Sequence, residues 1–199
     1  MSGTAEIHDA TLTPSKLELL AGWLPAQEWF VGDSEDLARV ASYRFVDPDG
    51  DVGIETILVS SQGTTYQVPL TYRSEPLVDE EDSLIGTLEH SVLGTRYVYD
   101  AVADPVYMVE LMRVIHEADT EADLSRGEKS MTVLGSGITL VSNAAGESMR
   151  VVRVLDGKHV PGARTPLGTL IGTWTVDGAE VEQILAVLRR APAHSGQQN

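Results

Sequence analysis

Asp47, Asp49 and Asp51 alternate along Asp47-Pro-Asp-Gly-Asp51, as the carboxylates of a calcium loop do. An EF-hand loop also needs glycine at its sixth position and glutamate at its twelfth, and those positions hold Val52 and Leu58. Pro-Asp-Gly is turn chemistry, so the stretch predicts a hairpin turn, with adventitious cation binding as the alternative. The histidines, His8, His90, His116, His159 and His194, form no His-x-x-x-His pair and have no glutamate at metalloprotease spacing. His90 alternates with apolar neighbours and reads as a structural histidine. No Gly-x-Ser-x-Gly elbow occurs; the nearest sequence, Gly135-Ser-Gly137, reads as a turn. A Walker-type loop, a His-Arg-Asp loop and an Asp-Phe-Gly are also missing, so phosphoryl transfer lacks its base and its metal ligands. Neither a catalytic residue, nor a metal ligand, nor a cofactor is assigned.

The aromatic residues suggest binding instead. Trp23, Trp29 and Phe30 fall within eight positions, which predicts an anchor beneath a neighbouring helix or a platform for a ligand. With Tyr72, Arg73 and Tyr97 on strand-like stretches, Trp29 and Phe30 make up the candidate contacts to a ligand or partner.

Composition sets the frame for these groups. The 199 residues include 30 acidic against 14 basic side chains, a formal charge of −16. Such a surface repels nucleic acid and anionic membranes, whose binding depends on clustered Lys and Arg. It favours solubility or a basic partner patch. The hydrophobic fraction of 42% is ordinary for a globular protein. No apolar run approaches the roughly 18 residues that span a bilayer. The first residues lack the basic and apolar regions of a secretory signal, and a cytoplasmic location is expected. The absence of cysteine removes disulfides, thiolate metal sites and a Cys nucleophile.

The elements that must position these groups are set by periodicity. Asp104 suits a helix cap and Pro105 the first helical position, so 104–116 predicts a helix. Val106, Val109 and Met112, with Met108, Leu111 and Ile115, give it a wide apolar face, while Glu110 and Arg113 take the polar side. Thr13-Pro14 opens a shorter helix carrying Leu17, Leu19 and Leu20, which Gly22 can close. Residues 39–46, 52–60 and 65–73 predict an antiparallel meander, in which Pro69 needs an edge or a bulge. Residues 86–92 and 95–100 predict a further hairpin. The polar, acidic stretch 117–128 is the expected boundary. Beyond it, 130–134, 138–142 and 148–155 predict a second meander, 167–176 a strand, and 181–190 a helix with Leu185 and Leu188 inside. The fold class is therefore α+β, with two antiparallel sheets each packed by helices. The expected domains are 12–117 and 128–190, with flexible tails at 1–11 and 191–199.

Three stretches carry a family resemblance. Trp23-Leu24-Pro25-Ala-Gln27-Glu-Trp29-Phe30-Val-Gly32 looks like a Trp-Leu-Pro-x-Gln-Arg-Trp-Phe-x-Gly-Lys signature. Tyr66-Gln-Val68-Pro69-Leu70-Thr-Tyr72-Arg73, with Ile85-Gly86-Thr87 after it, looks like the end of the same module. Gly127-Glu128-Lys-Ser130-Met-Thr132 is similar to a Gly-Glu-Gln-Ser-Asn-Thr strand. In that order they resemble the non-catalytic front half of bacterial maltokinases and proteins with a maltokinase N-terminal cap-like domain. The resemblance implies a cystatin-like cap followed by a kinase-N-lobe-like, β-rich half. Glu28 and Asp33 stand where those kinases tend to have Arg and Lys, and Arg153 aligns with their nucleotide-anchoring lysine. Arg and Lys differ in shape and reach at a phosphate site. The sequence ends where the kinase's catalytic lobe would begin, and the expectation is a chain without kinase activity.

Three functions are consistent with this reading. The first is a non-catalytic interaction or regulatory protein with a partner in glucan or trehalose metabolism. The second is a small-molecule binder, for a sugar or another ligand. The third, an autonomous enzyme, lacks any acid–base pair or nucleophile that the sequence can assemble. An exposed aromatic patch would favour the partner, and a concave polar-rimmed pocket the ligand.

Overall fold

Side chains from Ala38 to Arg73 alternate between two environments, which calls for a sheet covered on both faces. The computed structural model describes residues 2–138, 146–157 and 165–191. There β3 (Ala38–Val46), β4 (Gly53–Ser61) and β5 (Thr64–Arg73) form the expected antiparallel meander, preceded by the short strands β1 (Thr4–Ala5) and β2 (Leu12–Thr13). Ala41, Tyr43, Phe45, Ile54 and Leu58 enter one core, while Ile57, Val59, Tyr66, Val68 and Leu70 enter another on the opposite face. β6 (Leu84–His90) and β7 (Gly94–Asp100) extend the sheet, whose order is β2-β6-β7-β5-β4-β3. It is curled and antiparallel.

A helix covers each face. On one side lies α1 (Lys16–Trp23), which starts at Ser15. The Ser15 hydroxyl accepts the Glu18 N–H at 3.3 Å, and the Glu18 carboxylate accepts the Ser15 N–H at 2.7 Å. This reciprocal cap, and not Thr13-Pro14, fixes the start, and Gly22 lies inside the helix instead of closing it. On the other side lies α2 (Pro105–Glu117), capped by Asp104, which accepts the Val106 N–H at 3.0 Å. Its inner face is Tyr107, Leu111, Val114 and Ile115 with Glu110, whereas Val109 is 64% exposed. The apolar face expected to include Val109 is thus narrower, and Glu110 is buried. Arg113 offsets that burial by donating to the Glu110 carboxylate at 2.9 Å.

The second sheet has the order β10-β13-β12-β9, from β9 (Met131–Gly135), β10 (Glu147–Val151), β12 (Gly168–Val176) and β13 (Ala179–Arg190). The helix expected over 181–190 is therefore a strand. Val176 pairs with Ala179, leaving Asp177-Gly178 as a two-residue hairpin turn with φ of 51° and 80°. Leu185, Ala186, Val187 and Leu188 are buried in succession, which a strand lying between two neighbours allows. The strand expected over 138–142 lies, apart from Ile138, outside the described residues, as does the tail after 191. α2 packs on β9 so closely that a Cβ on Gly135 would stand 2.0 Å from the Val114 carbonyl oxygen.

One core joins Tyr43, Phe45 and Leu58 of the first sheet to Leu170, Trp174 and Leu185 of the second, with α2 between. In addition β11 (Val154–Leu155) leaves the second half and pairs with Thr65 and Tyr66 of β5. The acidic stretch 117–128 is anchored in its first part. Glu121 and Ala122 are buried, and β8 (Asp123–Leu124) pairs in parallel with β1, which lies in the stretch expected as a tail. Burial of Glu121 is tolerated because Lys129 donates to it at 2.9 Å and the Val133 N–H at 2.7 Å.

Candidate functional site

β5 meets two partners along one edge, β11 at Thr65 and Tyr66 and β7 from Leu70 to Arg73. Pro69 falls in the notch between them, where a missing N–H breaks no ladder; the edge that its chemistry requires is supplied there. Arg153, just before β11, fills this notch. Its carbonyl accepts the Gln67 N–H at 2.8 Å. Its Nη2 donates to both oxygens of Asp100, at 2.7 and 2.6 Å, and its guanidinium lies 5.2 Å from the ring centroid of Trp29. The remaining terminal nitrogen, Nη1, is enclosed without a hydrogen-bond partner.

A second polar centre lies on the α1 side of the sheet. Glu55 is 2% exposed and takes the Arg44 guanidinium at 3.1 Å, the Tyr72 hydroxyl at 2.9 Å and, in direct contact, the Lys16 ammonium. Arg39 stands at 3.7 Å. Burial by itself would raise the Glu55 carboxyl, but Lys16, Arg44 and Arg39 outweigh it and hold the group down at about 2. Burial lowers the Lys16 ammonium despite Glu55 beside it, and burial followed by the Glu55 charge pushes the Tyr72 phenol well above its usual range.

Beside this centre the chain segment between β1 and β2 lines a cavity of about 560 Å³, within the range of small-molecule sites. Lys16, Arg44 and Tyr72 line it together with Arg96, His8 and His90. The two imidazoles meet edge to face at 5.7 Å. His90 Nδ1 accepts the N–H groups of Val92 and Leu93 at 3.3 and 3.1 Å, which leaves its proton on Nε2. Burial, then His8 and Arg96, lower its pKa and keep the ring neutral. Asp47 also lines the cavity, and its carboxylate accepts the N–H groups of Asp49, Asp51 and Val52 at 3.1, 3.0 and 2.9 Å. The aspartate triplet is thus a hairpin turn held by its first member.

The five residues singled out by sequence do not converge on one site. Trp29 and Phe30 are half-buried against Tyr66, at 6.2 and 4.9 Å between centroids, and Trp23 meets Trp29 at 5.9 Å. Tyr72 belongs to the Glu55 centre. Arg73 comes next on β5 and so faces the other side of the sheet, where its guanidinium forks onto buried Asp104 with two bonds of 2.7 Å. Tyr97 pairs with Arg73 in the sheet register and is half-buried. Sequence reasoning missed Lys16, Arg44, Glu55, Arg96 and Asp100. The signal for Arg44 and Glu55 was their mirrored placement about the 47–52 turn, which makes them a cross-strand pair. Among the described residues no three His, Asp or Glu side chains gather as a metal ion would require. No helix there is long and apolar enough to cross a membrane.

Residues 23–104 match the family model described as the maltokinase N-terminal cap domain. The matched span, from Trp23 to the Asp104 that caps α2, supports a maltokinase N-terminal cap-like domain in this part of the chain.

Proposed function

We propose that the protein is a non-catalytic interaction or regulatory module, related to maltokinases, with a protein partner in glucan or trehalose metabolism. The observation that carries this reading is the state of Arg153. It stands where the family resemblance puts the lysine that anchors a nucleotide, yet its guanidinium is engaged inside the fold by Asp100 and Trp29. A phosphate would have to displace a carboxylate and an aromatic face to reach it. The curled sheet with α1 and α2 on opposite faces supports a cystatin-like description of the cap, and the β9–β13 half an N-lobe-like one. A cytoplasmic location, shared with such a partner, belongs to the same reading. The test is an assay of phosphoryl transfer from ATP to maltose and to glucose, run beside binding measurements against purified glucan- and trehalose-metabolising enzymes. Expected is no turnover above a boiled control and saturable binding to one of them. Turnover above that control would overturn the proposal.

The cavity favours a second reading, a small-molecule-binding module, because it is concave and polar-rimmed and lies away from the Arg153 notch.

A further inference from the structure

Charge is distributed unevenly in this acidic chain. Three cations, Lys16, Arg44 and Arg39, share the single buried carboxylate of Glu55, so their positive charge exceeds what Glu55 balances. Two of them, Lys16 and Arg44, line the cavity. Arg96 adds a third lining cation, and its Nη1 donates only to the carbonyl of its neighbour Thr95, at 2.9 Å. Among the described residues it has no carboxylate partner at salt-bridge distance. The His90 Nε2–H adds a neutral donor. Asp47, a carboxylate within the wall, keeps its charge but is held by three backbone N–H groups, with no cation in direct contact among the described residues. The exposed carboxylates of Glu6 and Asp51 also stand at the lining and supply acceptor oxygens there. A cavity that gathers three cations on its wall, one of them without a carboxylate partner among the described residues, with an imidazole donor and rim acceptors, is complementary to one anionic group attached to a hydroxyl-bearing body.

We propose that this cavity binds a compact anionic polyol, with its phosphate or carboxylate on Arg96, Lys16 and Arg44 and its hydroxyls toward His90, Asp51 and Glu6. The site deepens the binding-module reading and needs no protein partner. Arg96 is the anchor, because it has a fork of donors not committed elsewhere. Lys16 and Arg44 also hold Glu55, and so serve both fold and ligand.

The experiment is isothermal titration of the full chain with glucose 6-phosphate, gluconate, glucose and sulfate. Expected is saturable binding of at least one of the two sugar anions, at least about ten-fold tighter than glucose. Which anion binds tells a phosphate site from a carboxylate site. Arg96→Ala should weaken that binding by about ten-fold or more, Arg96→Lys should restore part of it, and Arg126→Ala, on the exposed 125–130 stretch, should leave it unchanged. Thermal melting of each variant checks that the fold is retained. Sulfate binding as tightly as the sugar anion would mean an adventitious ion only and would overturn the proposal. Glucose binding as well as either anion would overturn the anionic assignment while the binding-module reading stood. Binding of no probe, or binding indifferent to Arg96→Ala, would remove the site.

Discussion

The Nη2 of Arg153 sits between the two carboxylate oxygens of Asp100, at 2.7 and 2.6 Å. Asp100 ends β7 of the first sheet, within the matched cap, and Arg153 lies in the second half of the chain, so one ion pair joins the two. Trp29 covers the guanidinium and lies within the matched span.

Arg153→Lys should therefore cost stability and confer no activity. A lysine loses the stacking on Trp29 and one of the two bonds to Asp100, worth about 2 kcal/mol together. The expected result is a lower urea midpoint and no phosphoryl transfer by the variant. Gain of turnover with ATP and maltose would show that lysine alone restores a nucleotide site.

Glu55 makes stability depend on acid. Its carboxyl ordinarily titrates at 4.5 and is held at about 2 in the fold. A depressed carboxyl contributes stability that is complete above its unfolded value and is lost as pH falls through its folded one. The urea midpoint should thus decline between about pH 4.5 and 2, the window set by those two values. Glu55→Gln leaves Lys16 and Arg44 without their anion and should cost about 3–5 kcal/mol near neutrality. It should also flatten the acid decline. An unchanged midpoint for this variant would contradict the proposed charge centre.

Gly135→Ala should be poorly tolerated, because the new Cβ would meet the Val114 carbonyl oxygen at 2.0 Å, a backbone atom that cannot swing away. A cost of about 3 kcal/mol, at the upper end of overpacking, is expected in thermal melting. A melting temperature equal to that of the parent would mean that α2 sits farther from β9.

Trypsin should cut first at Arg126, in the exposed run 125–130, and not in the anchored part from Glu121 to Leu124. The fragments should elute together on native gel filtration, since the shared core and the β11–β5 pairing hold them. Separate elution would make 12–117 and 128–190 independent bodies.

Much of the first sheet was legible in sequence, because alternation over 38–73 and Pro-Asp-Gly at 48–50 act locally. The strand β13 was not. Val181, Leu185 and Leu188 also fit a helical period, and only Asp177-Gly178, closing a two-residue turn, spoke for a hairpin. On α2, six apolar residues suggested a face, but packing chose Tyr107 and Val114 and left Val109 outside. The Glu55 centre was hidden for another reason. Its cations come from α1 and β3, and nothing in the spacing of Lys16, Arg39 and Arg44 declares a common target. Trp29 was legible as an aromatic anchor, but the cation on its face comes from far along the chain.

The two-residue strand β11 imposes an order on folding. β5 has its β4 partner close behind it in the chain, but the stretch at Thr65 and Tyr66 finds its other neighbour only when Val154 and Leu155 have left the ribosome. Until then Trp29 has no guanidinium on its face, and the nascent cap carries an open strand edge beside an aromatic cluster. Such an edge is a place where a chaperone or a second nascent chain can pair before the native strand arrives. Completion of the cap is thus timed by synthesis of the second half of the chain.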